Sequence, residues 1–274
     1  MRPRPRQLVL VVAVATVAGL AAAGPRLLDG FQPDVTLSGT EGMKPPVGSP
    51  DGSAAPVQPT SSPAGTYEQP LWTAVDELTE APEHSDGYDR GLFDHWIDAD
   101  GDGCDTREEV LVKESTTPPE IAGDCSVTSG SWRFYYDSAA WTDPADVDID
   151  HVVPLKEAWD SGAWAWNERT RQRFANDLRS PRSLAAVTDN VNQSKGESDF
   201  AEWQPQRRTC QYLRSWVVTK IRWRLTVDTV EKQAIAAAAQ TCANELLHVV
   251  IAPTNGWSPR TGDELRPATI HSAG

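Results

Sequence analysis

Between residues 24 and 66, 20 of 43 positions are Gly, Pro or Ser, and no apolar period of 2 or 3.6 residues persists. A segment of this kind cannot bury enough surface to offset the entropy of ordering it. A flexible spacer is expected there, which confines any folded unit to the residues that follow. Apolar patterning resumes at Tyr67 and fades after Val250, and Pro253, Asn255, Gly256 and Pro259 mark residues 251–274 as a tail. The expectation is one domain over residues 67–250, without internal repeats.

Ahead of the spacer, three arginines within residues 1–6 precede a 16-residue apolar run, residues 8–23, that closes on Ala21, Ala22 and Ala23. That is the order of an export signal. The run falls short of the ~20 residues of a comfortable membrane span, which favours a cleaved signal peptide over a retained N-terminal anchor. Either form leaves the rest of the chain secreted or in the cell envelope, with membrane contact only through an uncleaved N-terminal segment. Cys104, Cys125, Cys210 and Cys242 contain no CxxC pair, so disulfides are a simpler expectation than structural zinc.

Hydrophobic residues make up 39% of the chain, too few for a multi-span membrane protein. A net charge of -14 argues against a cationic coat protein for nucleic acid. The charge is unevenly spread, however. Residues 68–150 carry 22 acidic and 4 basic side chains, whereas residues 151–224 carry 8 acidic and 13 basic ones. Only the second stretch can present a local positive potential to a polyanion, although Arg169, Arg171, Arg173 and Arg179 read equally well as the solvated side of a helix.

Residues 146–155, with Val147, Ile149, Val152 and Val153, read as a strand stopped by Pro154. Residues 168–178 read as a short amphipathic helix, residues 183–188 as a second strand, and a helix is expected to open near Asn192. The order is strand, insertion, strand, helix. Leu213, Trp216, Val217, Lys220 and Trp223 recur at helical spacing over residues 209–224, and Asp228 with Glu231 starts an Ala-rich helix running to about Leu247. If these two helices are antiparallel, Cys210 and Cys242 lie at one level and can pair, leaving Cys104 with Cys125; other pairings stay open. The fold class expected is α+β, stabilised by disulfides.

The chemistry-bearing constellation is Asp148-Ile149-Asp150-His151-Val152-Val153-Pro154-Leu155, followed some forty residues later by Asn192-Gln193-Ser194-Lys195-Gly196. Carboxylate and amide oxygens suit a hard cation such as Mg²⁺, and a neutral imidazole can take a proton from water. These segments, with WIDADGDGCDTREEVL, SGSWRFYYDS and CQYLRSWVVTKIRWRL, resemble the HNH endonucleases, more narrowly secreted proteins related to the C-terminal domain of GmrSD restriction endonucleases. The resemblance spans about residues 88–245. It implies an HNH ββα-metal core with added helices, and hydrolysis of nucleic acid, DNA favoured, around one divalent metal, Mg²⁺ or Mn²⁺. It also implies His151 as general base, Asp150 as metal ligand and Asn192 as the asparagine opening the core helix. The third ligand is Asp199 or Asp148, and Asp148 is equally a cap. Lys195 is either a phosphate contact or a cation at a helix end.

Asp98, Asp100, Asp102 and Glu109, with Gly103 at the sixth position, fit a twelve-position calcium loop; an acidic turn without metal fits as well. Arg107 is a candidate support for the site. The 11 Trp residues are expected in the core, and His84, His95 and His248 show no partner pattern. No stable protein partner is expected. A second class of function stays open: a calcium-stabilised envelope binding protein on an inactive HNH scaffold.

Overall fold

The computed structural model describes residues 65–254; the expected export segment, the spacer up to residue 64 and the tail from residue 255 lie outside the described residues. The chain runs β1 (Thr66–Pro70), α1 (Leu71–Asp76), α2 (Thr106–Glu114), β2 (Glu120–Ile121), β3 (Val127–Ser129), β4 (Trp132–Arg133), β5 (Ala140–Trp141) and β6 (Val147–His151). It continues through α3 (Leu155–Asp160), α4 (Glu168–Ala175), β7 (Leu184–Thr188), α5 (Asp189–Lys195), α6 (Thr209–Trp223), α7 (Thr229–Ala239) and β8 (Leu246–Val250). The strands form four antiparallel two-stranded ladders: β1 with β8, β2 with β3, β4 with β5 and β6 with β7. This is a mixed α+β architecture.

Two-stranded ladders are marginal alone, so each depends on what packs against it. The main core joins α1, α3, α4, α6, α7 and β8 around Leu71, Trp159, Phe174, Phe200, Tyr212, Trp216 and Trp223. A satellite core gathers Val110, Leu111, Trp132, Phe134, Val147, Ile149, Leu184 and Ala186. The β6–β7 ladder lies between them. Val147 and Ile149 pack into the satellite core with Leu184 and Ala186, while Ala185 and Val187 belong to the main one. Among the described residues, Trp132, Trp159, Trp166, Trp216 and Trp223 are buried in the cores as expected, Trp96, Trp141 and Trp203 pack against them partly buried, and Trp72 and Trp164 are exposed.

Several elements depart from the sequence pattern for local reasons. The first strand stops at His151, because Pro154 opens α3 rather than a loop. Proline's fixed φ suits a helix entry as well as a strand stop. Helix α5 starts at Asp189, so Asn192 lies within it rather than opening it. Gly196, at φ +57°, ends that helix with its N–H on the Asn192 carbonyl, a left-handed conformation that glycine adopts without a Cβ penalty. Helix α7 ends at Ala239, and Leu246–Val250 is a strand with alternating burial. Backbone pairing then continues past the last strand, from Ile251 to Gly65 and from Ala252 to Arg222.

Asp228 caps α7 through the amides of Val230 and Glu231. Glu231 itself turns inward, where Trp216 Nε1 donates to it at 2.5 Å and Lys220 Nζ at 3.1 Å. Lys220 is fully buried, bonding also to Glu157, the Ser161 hydroxyl and the Thr226 carbonyl. Nearby, Arg222 grips Asp177 with two nitrogens at 2.7 and 2.8 Å. Disulfides Cys104–Cys125 and Cys210–Cys242 are formed, the latter joining the start of α6 to the end of the α7 segment.

Two outcomes are expected. Lys220→Met strands two buried carboxylates and lowers stability by about 3–5 kcal/mol in urea unfolding. Burial also raises Glu114, which accepts the Ala186 amide, from its ordinary 4.5 to about 7. The folded chain therefore keeps this proton over a range where the unfolded chain has released it. The stabilisation is complete below pH 4.5 and is lost as pH rises toward 7. In pH-dependent thermal melts, Glu114→Gln flattens that decline.

Candidate functional site

Strand alternation divides the Asp148–His151 run between two faces. Asp148 and Asp150 lie opposite Val187 and Ala185, on the side covered by α5. His151, opposite Leu184, leaves on the side of Val147 and Ile149. Neighbours in sequence therefore enter different surroundings.

On the α5 side, Asn192 Nδ2 donates to Asp148 Oδ2 at 3.2 Å, joining residues 44 apart, and both side chains are partly exposed. The bond uses one Asn192 amide nitrogen and one Asp148 oxygen, and leaves the Asn192 amide oxygen and Asp148 Oδ1 outside it. One helical turn on, the fully buried Lys195 ammonium holds Asp150 Oδ1 and Oδ2 at 2.7 and 2.8 Å and the His151 carbonyl at 2.8 Å. Tyr136 donates its hydroxyl to Asp150 Oδ2 at 2.5 Å. Burial acts against both charges, raising the Asp150 carboxyl and lowering the Lys195 ammonium, while their mutual attraction opposes it. All three donors of Lys195 are spent inside the protein, so none is left for a phosphate.

The His151 imidazole is buried with Nε2 at 2.8 Å from the Ala175 carbonyl. A carbonyl only accepts, so Nε2 carries the proton and Nδ1 the lone pair. Trp96 and Phe174 stack on the ring at 5.3 and 6.5 Å, and His95 lies 6.4 Å away. Burial lowers its pKa to about 3, opposed by the hydrogen bond to the Ala175 carbonyl and aided by the smaller effects of Arg90, His95 and Lys195. The ring makes no hydrogen bond to Asp150 or Asn192; Lys195, bonded to the Asp150 carboxylate and the His151 carbonyl, is the link between them.

Asp199 sits elsewhere. Its Oδ1 accepts the Glu202 amide, and its carboxylate lies with those of Glu83 and Asp228, oxygens within 4.8 Å of one another. Asp98, Asp100 and Asp102 form a separate exposed group within the same limit. Asp98 accepts the amides of Gly101 and Gly103, and these three aspartates raise Glu109 after burial has done so. Arg107 supports the entry to β6 by donating to the Pro144 and Val147 carbonyls. Tyr136, Arg90, His95 and Trp96 escaped the sequence pattern. The aromatic run before Asp137 was a signal for the first, whereas the other three reach the site only through tertiary packing.

Residues 110–238 match the family described as GmrSD restriction endonucleases, C-terminal domain. An uncharacterized secreted protein of Arthroderma benhamiae is 45% identical over 191 residues, covering 69% of this chain and 91% of the relative. The chain belongs to the GmrSD C-terminal domain family. No solved structure matches it. The span matching the GmrSD C-terminal domain includes Asp148, Asp150, His151, Asn192 and Asp199, and begins one residue after Glu109, so the acidic loop precedes it. The membership makes this a nuclease-related domain whose family relation points to nucleic acid.

The two halves of the α5 contact should respond differently to substitution. Lys195→Met leaves Asp150 buried without its counter-ion and is expected to cost about 3–5 kcal/mol. Asn192→Ala removes one partly exposed hydrogen bond and costs about 1 kcal/mol. Denaturant melts of the two variants side by side measure the gap.

Proposed function

We propose that the chain is an exported endonuclease that hydrolyses phosphodiester bonds of nucleic acid, DNA favoured, on an HNH-type core made of β6, β7 and α5. The observation that carries this reading is the contact between Asp148 and Asn192, which unites the two halves of the motif within a family of restriction endonuclease domains. Export is supported by the secreted relative and by two disulfides, which persist in oxidising compartments.

His151 is the proton acceptor. The Ala175 carbonyl fixes its tautomer, burial keeps it uncharged at neutral pH, and the lone pair on Nδ1 is the basic site. The free oxygens of Asp148 and Asn192 fit a hard cation that keeps part of its water shell, as Mg²⁺ does, with Mn²⁺ able to use the same donors. A cation held there would supply Lewis acidity to the phosphate and stabilise the leaving oxygen. Asp150 is a positioning residue in this arrangement. Its hold on Lys195 seats α5, and with it Asn192, against β6. The Asp98–Asp102 loop with Glu109 would take a structural Ca²⁺ through carboxylate oxygens.

The burial of His151 under Trp96 and the commitment of Asp150 to Lys195 favour a second reading, an inactive scaffold that holds a polyanion. Plasmid DNA separates the two. With Mg²⁺ or Mn²⁺ the purified chain is expected to nick and linearise it, a chelator to stop the reaction, and His151→Ala to slow it by roughly 10²–10⁴-fold. Undiminished cleavage by the His151 variant would remove that residue from the reaction. Retained DNA binding without cleavage of DNA or RNA would favour the scaffold.

A further inference from the structure

Away from the β6–β7–α5 contact, carboxylates from three other segments approach Glu83, in the connection between α1 and α2, as two groups of three that share it. Its oxygens come within 4.8 Å of those of Glu157 and Asp160 at α3, and within the same limit of those of Asp199, beyond α5, and Asp228, at the start of α7. Burial, and then the charges of these four carboxylates, push the Glu83 carboxyl up to about 7. Two lysines balance only part of this charge. Lys156 pairs with Asp160, and Lys220 is committed to Glu157 and Glu231.

Acidic residues can gather on a surface without a ligand, but Asp160 is not a surface residue. Its side chain is 6% exposed, and while one oxygen meets Lys156, Oδ1 is buried without a hydrogen-bond partner. A buried carboxylate oxygen left unpaired costs free energy that a native structure normally recovers through a partner, water or an ion. Asp160 belongs to the group in which Glu83, Glu157 and Asp160 approach one another.

We propose that this cluster is a binding site for a divalent cation of calcium type, held between exposed Glu83 and buried Asp160, with Glu157, Asp199 and Asp228 completing the oxygen surroundings directly or through water. All the donors are hard oxygens, and their number and mixed side-chain lengths suit the large, adaptable shell of Ca²⁺ better than the strict octahedron of Mg²⁺. The ion ties the Glu83 connection to α3, to the turn after α5 and to the start of α7. Asp199 lies four residues beyond Lys195, so the same ion braces the end of the helix that carries Asn192. The site is distinct from the Asp98–Asp102 loop and does not depend on nuclease activity.

The test is calcium titration of the purified full chain by calorimetry, with thermal melts as a second readout. An Asp98→Asn/Asp100→Asn background removes the other acidic loop. In that background the chain is expected to bind one Ca²⁺ and to melt at a higher temperature as calcium rises. Adding Glu83→Gln, an exposed change that leaves the buried pairs intact, should weaken this binding at least tenfold and cancel the rise. Glu83→Asp, which keeps the charge on a shorter side chain, should restore part of both. Absence of calcium binding in the loop-disabled background, or binding unchanged by Glu83→Gln, overturns the proposal.

Discussion

The union of Lys195 with Asp150 is the constraint on which the candidate site rests. A buried ammonium is tolerated only where oxygens replace its water, and here they come from one carboxylate and one main-chain carbonyl of β6. The helix is therefore seated in one register against the strand. That register brings Asn192, one turn earlier on the same face, to Asp148. Tyr136 extends the contact into an aromatic cluster with Tyr212 and Trp203, so the position of the site is coupled to the main core.

Buried ionic groups recur through the fold. Lys220 with its two glutamates and Arg222 with Asp177 both arise on α6, whose other buried positions are aromatic or aliphatic apart from Ser215 and Thr219. The helix carries charge where a simpler core would carry leucine. Because each pair reaches a different segment, α6 orients α3, α7 and the residues before β7 by direction-dependent bonds rather than by packing alone.

Much of this was legible in the sequence where the signal is local. The period of Leu213, Trp216, Val217 and Trp223 marks α6, Asp228 marks the entry to α7, and the valines beside Asp148 mark β6. The Cys210–Cys242 pair followed from the expected antiparallel helices, with Cys104–Cys125 as the pair left over. What escaped was tertiary. Lys220 reads as one more helical position until its carboxylates are seen, and nothing near Tyr136 announces Asp150. The strand at Leu246–Val250 was hidden behind an alanine run, although Leu247 and Val249 already alternate with exposed Leu246, His248 and Val250. The site was legible as a motif but not as a geometry, because spacing alone does not reveal that Lys195 closes on Asp150 or that the Ala175 carbonyl holds the His151 ring.

The β1–β8 ladder sets Thr66 beside Val250, so the two ends of the domain emerge together at one edge. Tension applied between them would load this ladder as a zipper rather than in shear, parting it pair by pair from the outer end. Beyond it, Cys210–Cys242 forms a covalent stop that hydrogen bonds cannot provide. A domain joined to its surroundings through these ends would yield at its margin first while α6 and the ladder carrying His151 stayed assembled.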